Sequence, residues 1–274
     1  MEPRPRKQFA QHWLKSDKAL NQIVRAAEIT KCDRLLEIGP GTGILTRRLL
    51  PLAQAVVAVE IDRDLCQLLT KQLGQSENFL LLQGDVLSLD LPTHLAAFPA
   101  FQRPNKAVAN IPYNITGPIL EKLLGTITNP ATISFDSIVL LVQKEVAERL
   151  YAKPGSRAFG ALSVRVQYLA ECELICPVPA GYFYPPPKVD SAVVRLRPRP
   201  TEPAALEPRR LENLVKLGFA TKRKMLRNNL KGIIERDLLT HLLEQLEINP
   251  QARAEDISVP QWVALSNKLC VPTP

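Results

Sequence analysis

The chain has 274 residues, 46% of them hydrophobic, so it can bury a core without help from disulfides or metal ions. Five scattered cysteines without a C-x-x-C pair argue against a disulfide framework, three histidines argue against a metal site, and no apolar run is long enough to span a membrane. The net charge of +8 favours a polyanionic partner such as nucleic acid.

The first 200 residues alternate between helical and strand patterns. Residues 1–8 are expected to form a flexible basic arm without a secretory signal, which predicts a cytoplasmic protein, and Ser16 is expected to cap a helix that ends near residue 29. The strands that follow are predicted at 34–38, 55–60, 79–83, 106–109 and 137–143. Further helices are predicted at 44–50, 62–73, 116–124 and 144–150. This alternation indicates right-handed βαβ units and therefore an α/β fold with a mostly parallel sheet.

The pattern changes after residue 196. Two strands, 174–176 and 192–196, are expected to form an antiparallel edge of the sheet, and a Pro-rich linker follows at 197–208. Beyond the linker only helical periodicity remains, at 211–219, 222–234, 237–246 and 259–269. We therefore expect a large α/β domain at 1–200 and a small all-helical domain at 201–274.

A glycine-rich turn joins the first strand of the predicted sheet to the next helix, with glycines at Gly39, Gly41 and Gly43. Such a turn lets a ligand approach the backbone at the carboxyl end of a strand. The dinucleotide fingerprint does not fit, because Ile44 stands where its third glycine belongs. Glu37, just before the turn, would repel a pyrophosphate but suits the ammonium group of S-adenosylmethionine.

Acidic residues end the next two strands. Glu60 closes the second strand, where its side chain can accept hydrogen bonds from ribose hydroxyls. Asp85 follows the third strand, where a carboxylate can accept from an adenine amine. Together with the glycine turn these residues predict a nucleoside cofactor, and the combined pattern resembles class I S-adenosylmethionine methyltransferases. That resemblance implies that Gly39 and Gly41 line the methionine part of the cofactor.

The fourth strand ends in Asn110-Ile111-Pro112-Tyr113. The exocyclic amine of adenine is a poor nucleophile, because its lone pair is conjugated into the ring. Two acceptors that hold its hydrogens, such as the Asn110 oxygen and a carbonyl of the following turn, would make it one. Pro112 fixes the backbone, and Tyr113 offers a flat face to an extruded base. Phe183 is the candidate for the second face, in a stiff Pro-rich segment.

Five motifs carry a more specific resemblance. They are Gln11-His12-Trp13-Leu14, the Leu36–Gly43 turn, Gly84-Asp85-Val86, Asn110–Thr116 and Phe183–Ala192. Together they resemble the ribosomal RNA adenine N6,N6-dimethyltransferase family, and most closely its bacterial small-subunit members, which dimethylate two adjacent adenosines near the 3′ end of 16S rRNA. The resemblance extends from about residue 7 to 197, and the helical tail is similar to the family's C-terminal domain.

The resemblance implies roles for individual residues. His12, Leu14, Gly39, Glu60, Asp85 and Asn110 would hold S-adenosylmethionine. Asn110, Pro112, Tyr113 and Phe183 would hold the target adenine. Two residues depart from the usual pattern: Ala10 stands where the family usually has Gly, and Trp13 where it usually has Phe.

Basic residues on the predicted helix 222–234 are candidates for rRNA phosphate contacts: Lys222, Arg223, Lys224, Arg227 and Lys231. Spacings of three and four residues would put the last three on one helix face. The N-terminal Arg4, Arg6 and Lys7 could add a mobile contact. The expected partner is rRNA within the small ribosomal subunit, bound by a monomer without metal or membrane.

Three alternatives remain open at this stage. The antibiotic-resistance methyltransferases, which modify large-subunit rRNA, share the early motifs, although the Pro185–Ala192 segment is more similar to the small-subunit enzymes. A nicotinamide oxidoreductase is disfavoured by Ile44 and by the absence of a hydride-transfer histidine site. A non-catalytic ribosome assembly factor would use the same fold as a scaffold.

Overall fold

The computed structural model describes residues 4–131 and 133–270. Its strands are β1 (Trp13–Leu14), β2 (Arg34–Ile38), β3 (Ala55–Glu60), β4 (Phe79–Gln83), β5 (Lys106–Asn110), β6 (Ser137–Gln143), β7 (Ala170–Val178), β8 (Phe183–Tyr184) and β9 (Ser191–Pro198). Its α-helices are α1 (Asp17–Ala26), α2 (Thr46–Leu49), α3 (Arg63–Leu73), α4 (Leu91–Leu95), α5 (Thr116–Leu124), α6 (Lys144–Tyr151), α7 (Ala161–Leu169), α8 (Pro208–Gly218), α9 (Leu226–Asn229), α10 (Arg236–Gln245) and α11 (Val259–Lys268).

Seven strands form one sheet in the order β4-β3-β2-β5-β6-β9-β7. The five strands from β4 to β6 are parallel, and β9 runs antiparallel to β6. This arrangement confirms the predicted α/β class with an antiparallel edge. The order reverses at β2, so ligands are expected at the carboxyl ends of the central strands, where such sheets form a crevice.

Apolar strands explain why the sheet is central. Every residue of β3 is buried, as expected for a parallel strand covered on both faces. Helix α1 begins at the Ser16 N-cap, whose hydroxyl accepts from the Ala19 amide, and it buries Leu20 and Ile23. These two residues belong to a core cluster that also contains residues of β2, β3, β5, β6 and β9.

The chain divides into two compact units. One comprises 1–124, 131–147 and 173–198, and the other comprises 125–130, 148–172 and 199–274. The predicted domain boundary at residue 200 lies next to the division between residues 198 and 199. The second unit also contains two earlier segments, 125–130 and 148–172. The second unit has its own core around Trp262, Leu211 and Leu239, each at most 1% exposed.

One predicted helix is wrong. Within 222–234 only Leu226–Asn229 is helical, and Lys222 and Lys224 lie in the turn before it. The helix cannot start earlier, because Met225 is extended and forms a bridge with Arg253. The spacing argument that put Lys224, Arg227 and Lys231 on one helix face is therefore wrong as well.

Further details concern membranes, thiols and the N-terminus. Within 4–131 and 133–270, no helix is both long enough and apolar enough to cross a bilayer. All five cysteines are free thiols. Residues 1–3 of the predicted arm lie outside the described residues, and Lys7–Phe9 forms a short 3-10 helix.

Candidate active site

The predicted cofactor residues lie in a row along one edge of the sheet. Asp85 follows β4, Glu60 ends β3, Gly39 follows β2 and Asn110 ends β5, in the spatial order of those strands. All four line one cavity of about 260 Å³. The order matters chemically, because an elongated nucleoside ligand can lie across the strand ends with a different partner at each.

The glycine turn has the backbone shape that its sequence predicts. Gly39, Gly41 and Gly43 have φ values of +65°, +59° and +77°, a region that residues with a Cβ rarely adopt. The Gly39 amide donates to the Val59 carbonyl of the neighbouring strand at 2.9 Å. The turn is thereby fixed to β3, and Gly39 and Gly41 present bare backbone to the cavity.

Glu60 is held by three backbone amides. Its carboxylate accepts from Gly41 at 3.2 Å, Ile61 at 3.0 Å and Asp62 at 2.9 Å. The side chain is only 5% exposed, and burial raises its pKa. The amides fix the carboxylate in place beside the cavity, which suits a rigid acceptor for ribose hydroxyls.

Glu37 is the most deeply buried acid near the site. It is 1% exposed, and burial raises its pKa to about 8, with the neighbouring Glu60 carboxylate adding to the rise. Its Oε2 atom has no hydrogen-bond partner in the described part of the chain. Without a ligand the Glu37 carboxyl is mostly protonated at neutral pH, and an incoming ammonium group would favour its ionised form and supply the missing donor.

A hydrogen bond from its side-chain nitrogen orients the Asn110 amide. Nδ2 donates to the His12 main-chain carbonyl at 3.2 Å. No described residue donates to Oδ1, so the oxygen is the end of the amide that is available as an acceptor. This is the orientation that the predicted role towards an adenine amine requires.

The three residues after Asn110 also line the cavity. Tyr113 stacks on the ring of His12, with ring centroids 5.7 Å apart and planes 17° apart. Its hydroxyl pairs with the Ser191 hydroxyl at 2.5 Å, and burial raises its pKa. Pro112 has φ −60° and an extended ψ of 133°, which turns the chain away from the sheet edge.

Asp85 lies at the solvent end of the row. It is exposed, and its Oδ1 accepts from the Leu87 amide at 2.9 Å. That bond orients the carboxylate within the turn after β4. No described residue donates a hydrogen bond to its second oxygen, which suits the predicted contact with an adenine amine.

The N-terminal segment covers the cavity and is anchored to α3. The guanidinium of Arg6 pairs with Asp62 at 3.1 Å and also with Asp64, and the Gln11 amide donates to Asp62 at 3.0 Å. Asp62 itself caps α3. The expectation of a mobile contact at Arg6 is therefore wrong in this structure, because two carboxylates hold its side chain; Arg4 is exposed.

Two predicted residues lie outside the main cavity. Phe183 is 3% exposed and packs in the core, and Leu14 pairs with it across the β1–β8 ladder. Leu14 lines a smaller adjoining cavity together with Glu37 and Gly41, but Phe183 lines neither. The structure thus corrects the placement of Phe183 as an open stacking face, because its ring fills the core beneath the two-stranded ladder.

Sequence reasoning missed several cavity residues, among them Gln8, Phe9 and Ile61. Gln8 and Phe9 belong to the N-terminal segment, whose path no periodicity signals, whereas Ile61 directly follows Glu60 at the end of β3. Within 4–131 and 133–270, no three His, Cys, Asp or Glu side chains cluster as metal ligands.

The basic candidates lie in the second unit. Lys222, Arg223, Lys224 and Lys231 are exposed, whereas Arg227 is half-buried and its Nε has no partner among the described residues. They surround a turn and a one-turn helix and share no helix face.

Comparison with known proteins identifies the family. A sequence profile described as "Ribosomal RNA adenine dimethylase" matches residues 3–270. The chain belongs to this family. This adenine dimethylase is 76% identical to "Ribosomal RNA small subunit methyltransferase A" of Nostoc punctiforme, over 98% of this chain and 96% of that protein. It is 75% identical to the protein of the same name from Trichormus variabilis, over 98% and 99%.

Solved structures agree with this fold. A dimethyladenosine transferase from Plasmodium falciparum has a TM-score of 0.77 at 30% identity and covers 93% of this chain and 96% of that one. The 23S rRNA methyltransferase ErmE has a TM-score of 0.75 at 28% identity and covers 94% and 100%.

Membership confirms the predicted enzyme class and cofactor. The adenine dimethylase is an S-adenosylmethionine-dependent methyltransferase that acts on ribosomal RNA. The residues present fit that cofactor, because an unpartnered buried acceptor lies beside a glycine turn and further acceptors lie at the ends of β3 and β4.

Proposed function

We propose that the adenine dimethylase methylates the N6 amines of two adjacent adenosines near the 3′ end of 16S rRNA, within the small ribosomal subunit. The observation that carries this proposal is the identity of 74–76% to three proteins named "Ribosomal RNA small subunit methyltransferase A", each over 98% of this chain. The product is N6,N6-dimethyladenosine, and the role is in ribosome biogenesis.

The residues at the end of β5 do the work on the adenine. S-adenosylmethionine supplies the methyl group when bound. The Oδ1 of Asn110 accepts one amine hydrogen, and a carbonyl of Ile111 or Pro112 accepts the other, which frees the nitrogen lone pair from the ring. These acceptors are pre-oriented, since the His12 carbonyl fixes the Asn110 amide. The methylated ammonium is acidic enough to lose its proton to water, so no strong base is required.

Cofactor contacts follow the strand order. Asp85 takes the adenine amine, Glu60 the ribose, and Gly39 and Gly41 the methionine part, with His12 and Leu14 on the N-terminal side. Lys222, Arg223, Lys224 and Lys231 contact rRNA phosphates, which position the substrate without reading its sequence. We further propose that the enzyme acts as a monomer in the cytoplasm, where small subunits mature.

The test is transfer of labelled methyl from S-adenosylmethionine to undermethylated small subunits, followed by nucleoside analysis. We expect dimethyladenosine in the small-subunit rRNA, and we expect it to form at least about 100-fold more slowly with an Asn110→Ala enzyme. Purified large subunits, assayed in parallel, serve as the control substrate. Methylation of large subunits alone would contradict the proposal.

A second candidate substrate has one observation in its favour. ErmE, named as a 23S rRNA methyltransferase, matches this fold almost as well as the dimethyladenosine transferase, with TM-scores of 0.75 and 0.77. Fold similarity therefore does not distinguish the two substrates, whereas sequence identity favours the small subunit. A purely structural assembly role predicts that Asn110→Ala supports ribosome maturation fully.

A further inference from the structure

Trp13 carries a buried hydrogen-bond donor that no described residue accepts. Its Nε1 has no partner and is closed off from solvent. The indole lies against the glycine turn, where a Cβ built on Gly41 would be 3.5 Å from Cδ1 and 3.6 Å from Nε1. A buried N–H without an acceptor is unfavourable, and because Trp13 lines a cavity, an acceptor group of a ligand bound there would satisfy it.

A second unpartnered atom lies in the same wall. Trp13 and Glu37 both line the small cavity beside the glycine turn, and the Oε2 of Glu37 has no partner among the described residues either. The residues that line this cavity thus include one with an unpartnered donor and one with an unpartnered acceptor. A zwitterionic amino-acid head, with a carboxylate and an ammonium group, complements that pair.

The strand order indicates which end of the cofactor reaches this cavity. Asp85 and Glu60, at the ends of β4 and β3, suit the adenine and the ribose. The next strand in the sheet is β2, so the methionine part comes to the turn that follows it. Trp13 lies against that turn and also lines the main cavity.

We propose that the indole N–H of Trp13 donates a hydrogen bond to the α-carboxylate of S-adenosylmethionine, while Glu37 accepts from its α-ammonium. Trp13 is then a cofactor-specificity residue. The inference rests on the cofactor of the proposed function and deepens it. The ribosomal RNA adenine dimethyltransferase family that this sequence resembles usually has Phe here, which lacks the N–H.

The first test compares Trp13→Phe with the wild type in calorimetric binding of two probes, S-adenosylmethionine and its decarboxylated form. Phe keeps an aromatic ring and removes only the donor. We expect the dissociation constant for S-adenosylmethionine to rise about tenfold or more, and that for the decarboxylated form to stay within about twofold. Equal weakening of both, or of neither, would overturn the role of Trp13.

The second test uses the wild-type chain and needs no variant. The sequence contains two tryptophans, so its nitrogen–proton spectrum has two indole signals, and the fully buried Trp262 provides an internal control. We expect S-adenosylhomocysteine, which keeps the carboxylate, to shift the Trp13 indole signal downfield. Methylthioadenosine, which lacks the carboxylate, should not produce this downfield shift. Identical spectra with both ligands would overturn the proposal. A wild-type chain that bound neither would overturn the cofactor itself, and the role of Trp13 with it.

Discussion

The side-chain nitrogen of Asn110 donates a hydrogen bond to the main-chain carbonyl of His12 at 3.2 Å. The bond joins the end of β5 to the N-terminal segment that covers the cavity, although the two residues are 98 positions apart. It also fixes which end of the amide faces the substrate. The acceptor needed for methyl transfer is thus oriented before the adenine arrives.

Two substitutions of Asn110 distinguish the effect of its acceptor oxygen from that of its hydrogen bond to His12. Asn110→Ala removes both, and we expect kcat to fall about 100- to 1000-fold, the usual effect of deleting one pre-oriented polar group. Asn110→Asp keeps an acceptor but cannot donate to His12, so its loss should be smaller. Single-turnover methyl transfer to small subunits measures both. Equal losses in the two variants would contradict a role for the acceptor oxygen.

Tyr113 is expected to act through its ring face. Tyr113→Ala should lower kcat/KM about 10- to 100-fold, because base–aromatic stacking contributes about 1–3 kcal/mol. Tyr113→Phe keeps the face and loses only the bond to Ser191, so its loss should be about fivefold or less. Ser191→Ala is the matched control, since it removes the same bond from the other side. A Phe variant as impaired as the Ala variant would assign the effect to the hydroxyl.

The sheet was largely predictable from the sequence, and the reason is burial. Four strands, β2, β3, β4 and β6, begin and end where the apolar pattern predicts. Helix α7 was missed because its apolar residues do not form one stripe, and β1 and β8 because two residues carry no period. The predicted helix 222–234 failed because a bridge between Met225 and Arg253, distant in sequence, overrides local helical periodicity.

The site was predictable only where residues follow strand ends. Gly39, Glu60, Asp85 and Asn110 meet because parallel strands align their carboxyl ends, which the chain order already implies. The anchoring of Arg6 to Asp62 and the burial of Phe183 depend on long-range packing, for which no local pattern exists.

Ala10 lies in the segment that covers the cavity and has a φ of +48°, a left-handed conformation that favours glycine. The steric cost of about 1–2 kcal/mol exceeds the entropic cost of glycine, about 0.5–1 kcal/mol, so Ala10→Gly should raise Tm by about 1–4 °C. Ala96→Gly is the control, because Ala96 is exposed with an ordinary φ of −57°, and it should lower Tm. Calorimetry checks both; a fall in Tm for both would contradict the strain at residue 10.

Glu37 should make the stability of the cofactor-free enzyme depend on pH. Its pKa is about 8 in the folded chain against an ordinary value of 4.5, so between these values the folded state binds the extra proton. The contribution of Glu37 to the free energy of unfolding is therefore most favourable below about pH 4.5. It falls as the pH rises to about 8, by up to about 1.4 kcal/mol per pH unit.

Glu37→Gln tests this linkage, because glutamine has a similar shape and does not titrate. We expect Tm of the wild type to fall more steeply between pH 6 and pH 8.5 than Tm of the variant. The difference between the two profiles cancels the other titrating groups. Parallel profiles would mean that Glu37 does not carry a proton in the folded chain at neutral pH.

The exposed basic turn should contribute salt-dependent affinity for rRNA. Replacing Lys222, Arg223 and Lys224 by Gln removes three exposed charges, and we expect weaker binding to small subunits and a shallower dependence of log K on log salt. Binding to S-adenosylmethionine should be unchanged, because these residues lie outside the cavity.

A matched triple variant separates a local contact from a general charge effect. Arg209, Lys216 and Arg236 are equally exposed in the same unit, and replacing them by Gln removes the same net charge. If rRNA phosphates contact the turn, the first triple variant loses more affinity than the control, most strongly at low salt, and its dependence of log K on log salt becomes shallower by about 2–3. Equal losses would assign the effect to net charge alone and remove the turn from the rRNA contact.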